Sequence, residues 1–489
     1  MGGRTKRRRP RIPDTVQAKS CHGAALAPDD GRCRLDPGRC RSSGTCLTSA
    51  EHGAPVMRLR LCLTTAVVVS SAGAAREAIT RHDAALSARA VPDMARAAWF
   101  ADRSVIWLPG SDPRWKALRG VLAARAFSQR GLAAARGARE RGARELVGHL
   151  RARAGEEVDV GRAVYGGVLN LVSGALFSVD VVDVGAESAQ GLRGLVEGIV
   201  EAVVKPNVSD LFPFLRPLDL QGWRRWTAGR FAKVFRVLDD IVDRRLADAS
   251  SSGKHVRGDF LGALLELMSA GKITHDTVTT IMFDVFAAGS DTIAVTVEWA
   301  MTELLRHPSV MSKVREEIEG ALGGKEAVEE PDAVGLPYLR AVVKEAMRLH
   351  PVAPLLLPHQ AAEDGVEIGG YAVPRGSTVI FNAWAIMRDP AAWERPDDFV
   401  PERFLGGGDD EAGFRGKDSR LIPFGSGRRL CPGVPMAERV VPLMLASLLH
   451  AFEWRLPDGV SAEQLDVSEK FTTANVLAVP LRAVPVVVT

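Results

Sequence analysis

One cysteine in this chain stands where its neighbours could turn it into a metal ligand. Phe424 to Gly433 reads FGSGRRLCPG. A thiol ligates a metal only as the thiolate, which calls for positive charge or backbone N–H groups beside the sulfur. Arg428 and Arg429 carry charge, Gly425, Gly427 and Gly433 clear space for tight turns or close approach to a ligand, and Pro432 removes a competing donor. Past Gly433 the apolar spacing of Val434, Met436, Ala437, Val440, Val441, Leu443 and Leu445 predicts a helix. The sulfur of Cys431 would then lie just before a helix N-terminus, where partial positive charge favours an anion. These features predict a thiolate; a buried structural cysteine is the plainer alternative.

A second group could move protons. Ala287-Ala288-Gly289-Ser290-Asp291-Thr292 sits inside an apolar stretch predicted as one helix from Thr274 to Arg306 and stopped by Pro308. Gly289 costs about 1 kcal/mol against alanine in mid-helix. The Thr292 hydroxyl can bond back to the Ala288 carbonyl four residues earlier, bending the helix and leaving room for a small molecule. A hydroxyl backed by the Asp291 carboxylate is a proton relay; a kink packed in the core is the alternative.

Two further pairs fall on single helix faces. Trp115 and Arg119, four apart after Pro113, read by themselves as an aromatic-cation surface pair, and Glu345 and Arg348, three apart on a helix starting near Leu339 and ended by Pro351, as an exposed ion pair worth well under 1 kcal/mol.

The elements that must carry these groups are mostly helical. Between residues 132 and 269 the pattern is helical with breaks near Gly155, Pro206 and residues 250–253, and alternation from Val56 to Val69 predicts antiparallel strands. Short strands are predicted at residues 367–370, 371–373 and 378–381, with turns at Gly369-Gly370 and Pro374-Arg375-Gly376. Residues 90–113 read as a loop whose Trp99, Phe100, Ile106, Trp107 and Leu108 either cover a core or line a pocket.

Charge divides the chain. Residues 1–50 hold 11 Lys and Arg against 4 acidic residues, a formal +7, which leaves −3 for residues 51–489. That first segment is rich in Arg, Gly, Pro and Ser and lacks apolar periodicity, so it is expected to be disordered. The larger part is expected to be one domain, with no compositional support for nucleic-acid binding. Cys431 is the only cysteine after Cys62, which excludes a disulfide framework there, and no apolar run reaches 18 residues.

The FxxGxRxCxG loop of Phe424, Gly427, Arg429, Cys431 and Gly433 resembles that of the cytochrome P450 family, a mainly α-helical fold with small β-sheets. Trp115 and Arg119, the Ala288–Thr292 element, Glu345-x-x-Arg348 and Pro401-Glu402-Arg403-Phe404 follow in the family's order, over residues 51–489. The resemblance implies haem b with Cys431 as the axial iron ligand, a ligand type that favours O–O cleavage. Phe424 would shield the sulfur; Trp115, Arg119, Arg429 and His359 would meet haem propionates, with a solvent-exposed histidine as the alternative for His359. Ala288 and Gly289 would give dioxygen room over the iron, with Asp291 and Thr292 delivering protons. Glu345, Arg348 and Arg403 would form a desolvated clamp supporting the cysteine loop.

The expected activity is a monooxygenase placing one atom of O2 in an apolar small molecule, terpenoid-like by similarity to plant microsomal members. Electrons would come from NADPH through NADPH-cytochrome P450 reductase. Two alternatives share the cysteine: a haem-thiolate hydroperoxide isomerase or dehydratase, and an inactive truncated haem-binding protein. The resemblance also implies a monomer at the cytosolic face of the endoplasmic reticulum. Residues 1–50 match no membrane anchor of the family, so a soluble or peripheral protein is expected.

Overall fold

The computed structural model describes residues 16–17, 54–180, 187–252, 258–406, 413–416 and 418–488. The helix His275–Arg306, here the central helix, runs through the molecule. Thr274 caps it, accepting from the Thr277 N–H at 3.3 Å, with Asp276 in the first turn and Arg306 in the last, where each charge suits the helix dipole. Most of its residues are buried, because it packs against the helices Val160–Phe177, Trp223–Ser252, Pro337–Leu349 and Val434–Ala451. Such all-round burial is why its sequence reads as apolar without a clear stripe. It breaks at His307, and Pro308 then opens a further helix to Leu322, Pro at the first turn being tolerated.

Beside the helices lies a sheet of order β1-β2-β3-β9-β6-β4. Its strands are β1 Val16–Gln17, β2 Val56–Leu61, β3 Thr64–Val69, β4 Ala88–Arg89, β6 His359–Gln360 and β9 Thr378–Phe381. β2 and β3 form the expected antiparallel hairpin with Val56 opposite Val69, and β3 runs parallel to β9. β4 and β6 pair so that Arg89 lies directly opposite His359. Smaller sheets join β7 Val366–Ile368 to β8 Tyr371–Val373, β11 Glu469–Phe471 to β12 Asn475–Leu477, and β5 Val158–Asp159 through β13 Arg482–Val487 to β10 Phe452–Arg455.

Within the first fifty residues only Val16–Gln17 are described, running parallel to β2. The expectation of disorder for the rest of that segment lies outside the described residues. Residues 90–113 divide between both roles expected of them: Phe100, Trp107 and Leu108 are buried, Val105 and Ile106 face a cavity, and Trp99 is 70% exposed.

Candidate active site

Between the central helix and the cysteine loop lies a cavity of about 330 Å³. Ala288, Gly289 and Thr292 face it from the helix, Phe424, Arg429, Cys431 and Gly433 from the loop, and Trp115, Arg119 and His359 from one rim. The fold thus gathers ten of the predicted site residues around one space. Asp291 lies on the same helix turn as Thr292 but is not among the lining residues. The rest of the wall is largely apolar, with Ile106, Leu122, Phe127, Val172, Val285 and Met347 among its members.

The cysteine loop is closed by the Cys431 N–H donating to Phe424 O at 3.0 Å, and the Phe424 ring meets Phe414 edge-on at 5.2 Å. Gly427 has φ +65°, and a Cβ there would stand 2.5 Å from Asp83 Oδ1, so a side chain is excluded both ways. Gly433 is not demanded by its backbone or by a protein neighbour. Its φ is −81°, and a Cβ there would make an ordinary 3.6 Å contact with the Cys431 sulfur. What it contributes is an N–H toward the sulfur, at the start of the helix Val434–Ala451.

The charge around the sulfur is also arranged differently from the expectation. Arg428 turns away, its backbone N–H donating to Asp83 at 3.0 Å and its guanidinium 3.4 Å from the same carboxylate. Arg429 is buried: its Nε donates to Ser87 O at 2.7 Å, its other nitrogens reach Ile106 O and Leu108 O, and its guanidinium lies 4.5 Å from the Trp115 ring centre. Burial pushes the Cys431 thiol up, opposed by the N–H groups of Gly433 and Val434 and by Arg119. Burial prevails in the protein alone, so the thiolate predicted from sequence needs a further cation at the sulfur, which is what a ligated metal supplies.

Arg119 donates to Leu430 O at 2.8 Å, and Trp115 Nε1 to Val105 O at 3.2 Å. The sequence reading missed Arg89, which also faces the cavity and donates to Leu357 O. Burial and the neighbouring guanidiniums push Arg89 down to about 9, and burial and Arg119 push Arg429 down to about 10. The Arg89 Nε is buried without a hydrogen-bond partner. Cations crowded this way call for an anion. His359 does not supply one of them: burial and Arg89 lower it to about 3, and its Nδ1 bonds to Leu86 O at 2.6 Å, which leaves a neutral ring with Nε2 as acceptor. Without an anion beside it the ring is neutral, and it is not the exposed histidine of the alternative; its cross-strand partner Arg89 carries charge at the same rim.

On the central helix, Thr292 Oγ1 donates to Ala288 O at 2.7 Å, as its spacing predicted. The helix is continuous through this point, and a Cβ on Gly289 would make an ordinary 3.5 Å contact with Val172. The neighbouring helix therefore does not demand glycine; Gly289 and Val172 both line the cavity.

Glu345 and Arg348 are fully buried, not an exposed pair. Arg348 donates to Glu345 Oε2 at 2.7 Å and Oε1 at 2.9 Å, and Arg403 Nε to Oε1 at 3.0 Å. The remaining guanidinium hydrogens of Arg348 go to the carbonyls of Met387, Pro396 and Asp398. The clamp thus ties the helix Pro337–Leu349 to residues 387–404, the segment that leads toward the cysteine loop.

The Cytochrome P450 family profile matches residues 46–479. Cytochrome P450 76M5 of Oryza sativa subsp. japonica is 67% identical over 437 residues, covering 89% of this chain and 86% of its own. Oryzalexin D synthase of the same plant is 62% identical, covering 89% and 87%. Geraniol 8-hydroxylase of Catharanthus roseus is 42% identical, covering 89% and 88%. Among solved structures, a zebra fish cytochrome P450 with progesterone superposes with TM-score 0.74 at 24% identity, covering 90% of this chain and 98% of that one, which is a likeness of fold.

The chain belongs to the cytochrome P450 family and is a monooxygenase of that family. Haem is the cofactor the family implies. The residues present fit it: a sulfur at the cavity floor beneath two backbone N–H groups, and at one rim three guanidiniums, one with an unpartnered buried Nε, suited to carboxylates.

Proposed function

We propose that this monooxygenase hydroxylates a terpenoid-like hydrocarbon, with electrons from NADPH delivered by NADPH-cytochrome P450 reductase. The observation that carries the reading is the largely apolar cavity lying directly between Cys431 and the Ala288–Thr292 turn. The names of relatives support the substrate class: one is an ent-cassadiene C11-alpha-hydroxylase, 61% identical, and another a geraniol 8-hydroxylase.

Haem, when bound, activates O2, and a thiolate ligand favours O–O cleavage. The chain's own part is to hold and shape. Cys431 is the iron ligand, with Phe424 and Gly433 flanking its sulfur; Arg119, Arg429, Trp115 and Arg89 hold the propionates. His359, whose strand pairs with that of Arg89, joins them at the same rim. Ala288 and Gly289 keep the space beside the helix clear for O2. The Thr292 hydroxyl, held by the Ala288 carbonyl, carries a proton at Oγ1, and with the Asp291 carboxylate on the same turn it would supply protons to oxygen bound in the cavity. Glu345, Arg348 and Arg403 fix the segment behind the loop.

The catalytic unit is taken to start near residue 51 and to act as a monomer at the cytosolic face of the endoplasmic reticulum. The helices Val160–Phe177, His275–Arg306 and Val434–Ala451 are long and apolar enough to cross a membrane, but their apolar windows are 72–83% buried inside the fold. Surface contact with lipid is instead favoured at Trp99, Phe214, Leu218 and Leu220, all at least 58% exposed. The test is haem content followed by NADPH- and reductase-dependent conversion of a panel of monoterpenes and diterpenes, read by product mass. A gain of one oxygen atom is expected. Conversion of hydroperoxides without NADPH would replace this reading by an isomerase or dehydratase, and a chain without haem would end it.

A further inference from the structure

Two turns before Thr292, on the same face of the central helix, a carboxylate lines the cavity. Asp284 is 2% exposed. It does not touch the cysteine loop; it reaches the segment that follows Phe100. Ser104 Oγ donates to Asp284 Oδ1 at 2.8 Å, the Val105 N–H to Oδ2 at 2.8 Å, and the Ile106 N–H to Ser104 Oγ at 3.1 Å. Val105 and Ile106 are themselves cavity-lining residues. The other edge of the segment belongs to the cofactor side: Val105 O accepts from Trp115 Nε1, and Ile106 O and Leu108 O accept from Arg429.

A carboxylate without such bonds would be a poor filler for this wall. Burying it costs several kcal/mol unless its oxygens are satisfied. An apolar side chain would close the wall at no such cost, but only an acceptor pair can hold both a hydroxyl and an N–H of the facing backbone. The group also remains strained by its surroundings, since burial raises it to about 7 despite the bonds from Ser104 and Val105.

We propose that Asp284 is a positioning residue for the substrate cavity: by holding Ser104 and Val105 against the central helix it sets where Val105 and Ile106 stand over the Ala288–Thr292 turn. The inference rests on the haem-thiolate reading for what that turn does, and on the hydrogen bonds alone for the latch itself. Arg103 adds a second tie to the helix, 3.0 Å from Asp276 and partly exposed, so loss of the latch frees residues 104–106 without detaching the whole segment.

The test uses the haem-loaded full chain and the variants Asp284→Ala, Asp284→Asn and Ser104→Ala. Amide exchange of residues 104–106 is expected to rise about tenfold in Asp284→Ala and several-fold in Ser104→Ala. Asparagine should restore protection, its carbonyl accepting from Val105 and its amide donating to Ser104. The dissociation constant of 1-phenylimidazole, read from the haem absorption shift, is expected to follow the same order, because this apolar probe fills the space the segment walls. Unchanged exchange in both Asp284→Ala and Ser104→Ala overturns the latch. Faster exchange with unaltered probe binding in all variants overturns the positioning role. Should Asp284→Ala fail to fold, Ser104→Ala and Asp284→Asn decide the matter. A wild-type chain that takes up no haem would sink the haem-thiolate reading, while the exchange comparison still judges the latch.

Discussion

Cys431 illustrates how a single atom's chemistry depends on what arrives beside it. Burial disfavours its thiolate in the protein alone, so iron ligation and deprotonation are expected to occur together. In Cys431→Ala the reduced, carbon monoxide-treated protein should lose the red-shifted haem band of a thiolate complex; a wild-type band typical of histidine ligation would refute the assignment. Thr292 is a different case, since its hydroxyl bonds to its own helix and touches no part of the cysteine loop. Thr292→Ala is expected to keep haem and substrate binding while the fraction of NADPH ending in product falls about tenfold or more, with hydrogen peroxide appearing instead. Equal coupling in the variant would remove Thr292 from proton delivery. The residues legible in the sequence were those whose partners lie a turn or two away, such as Thr292 with Ala288 and Glu345 with Arg348. Arg89 and Asp284 were not, because Arg89 bonds to a carbonyl 268 residues distant and Asp284 to a hydroxyl 180 residues distant. No local spacing carries such information.

At the scale of elements, the helix boundaries followed from caps and prolines, and the loop of residues 90–113 did not resolve until packing assigned each side chain. The clamp shows the same limit: its spacing suggested an exposed pair, whereas folding buried it completely. Removing one partner of a buried pair is costly, so Glu345→Ala is expected to destabilise by about 3–5 kcal/mol and to lose haem during purification. Normal haem content and melting temperature would show that the carbonyl bonds of Arg348 suffice. Two buried acids on the central helix should also shape the pH profile, with opposite signs. Burial alone would raise Glu303, but hydrogen bonds from His307 and His350 and the charges of His350 and Arg306 hold it well below the usual carboxylate range. Its contribution is complete above the unfolded value near 4.3 and is lost as pH falls below it. Asp284, raised to about 7, instead withdraws stability as pH climbs from about 4 through 7. Melting temperatures measured against pH should therefore lose their acid slope in Glu303→Gln and their near-neutral slope in Asp284→Asn. Parallel curves for variants and wild type would disprove both.

For the whole molecule, the charge balance matters most where a reductase would meet the cysteine side. Of the four cations the sequence offers as a positive face toward the reductase, Arg428, Arg429, Lys116 and Arg125, Arg429 is buried, which leaves exposed Lys116, Arg125 and Arg428, with Arg428 partly neutralised by Asp83 and Arg125 3.7 Å from Glu266. The reduction rate by an acidic flavoprotein is expected to fall as ionic strength rises, with a shallow slope given so few free cations. A rate that rises or stays flat with salt would move the docking surface elsewhere. The stretch 104–108 has a last consequence for how such a molecule can change. The Val105 N–H is committed to the central helix, those of Ile106, Trp107 and Leu108 to Ser104, and the carbonyls of Val105, Ile106 and Leu108 to Trp115 and Arg429, so its backbone has little freedom to drift, while Val105 and Ile106 line the cavity. Variation there can diversify the pocket without disturbing what lies on either side. A library randomised at 105 and 106 should thus yield many haem-loaded variants with altered substrate preference, and one that admits proline at either position should yield few.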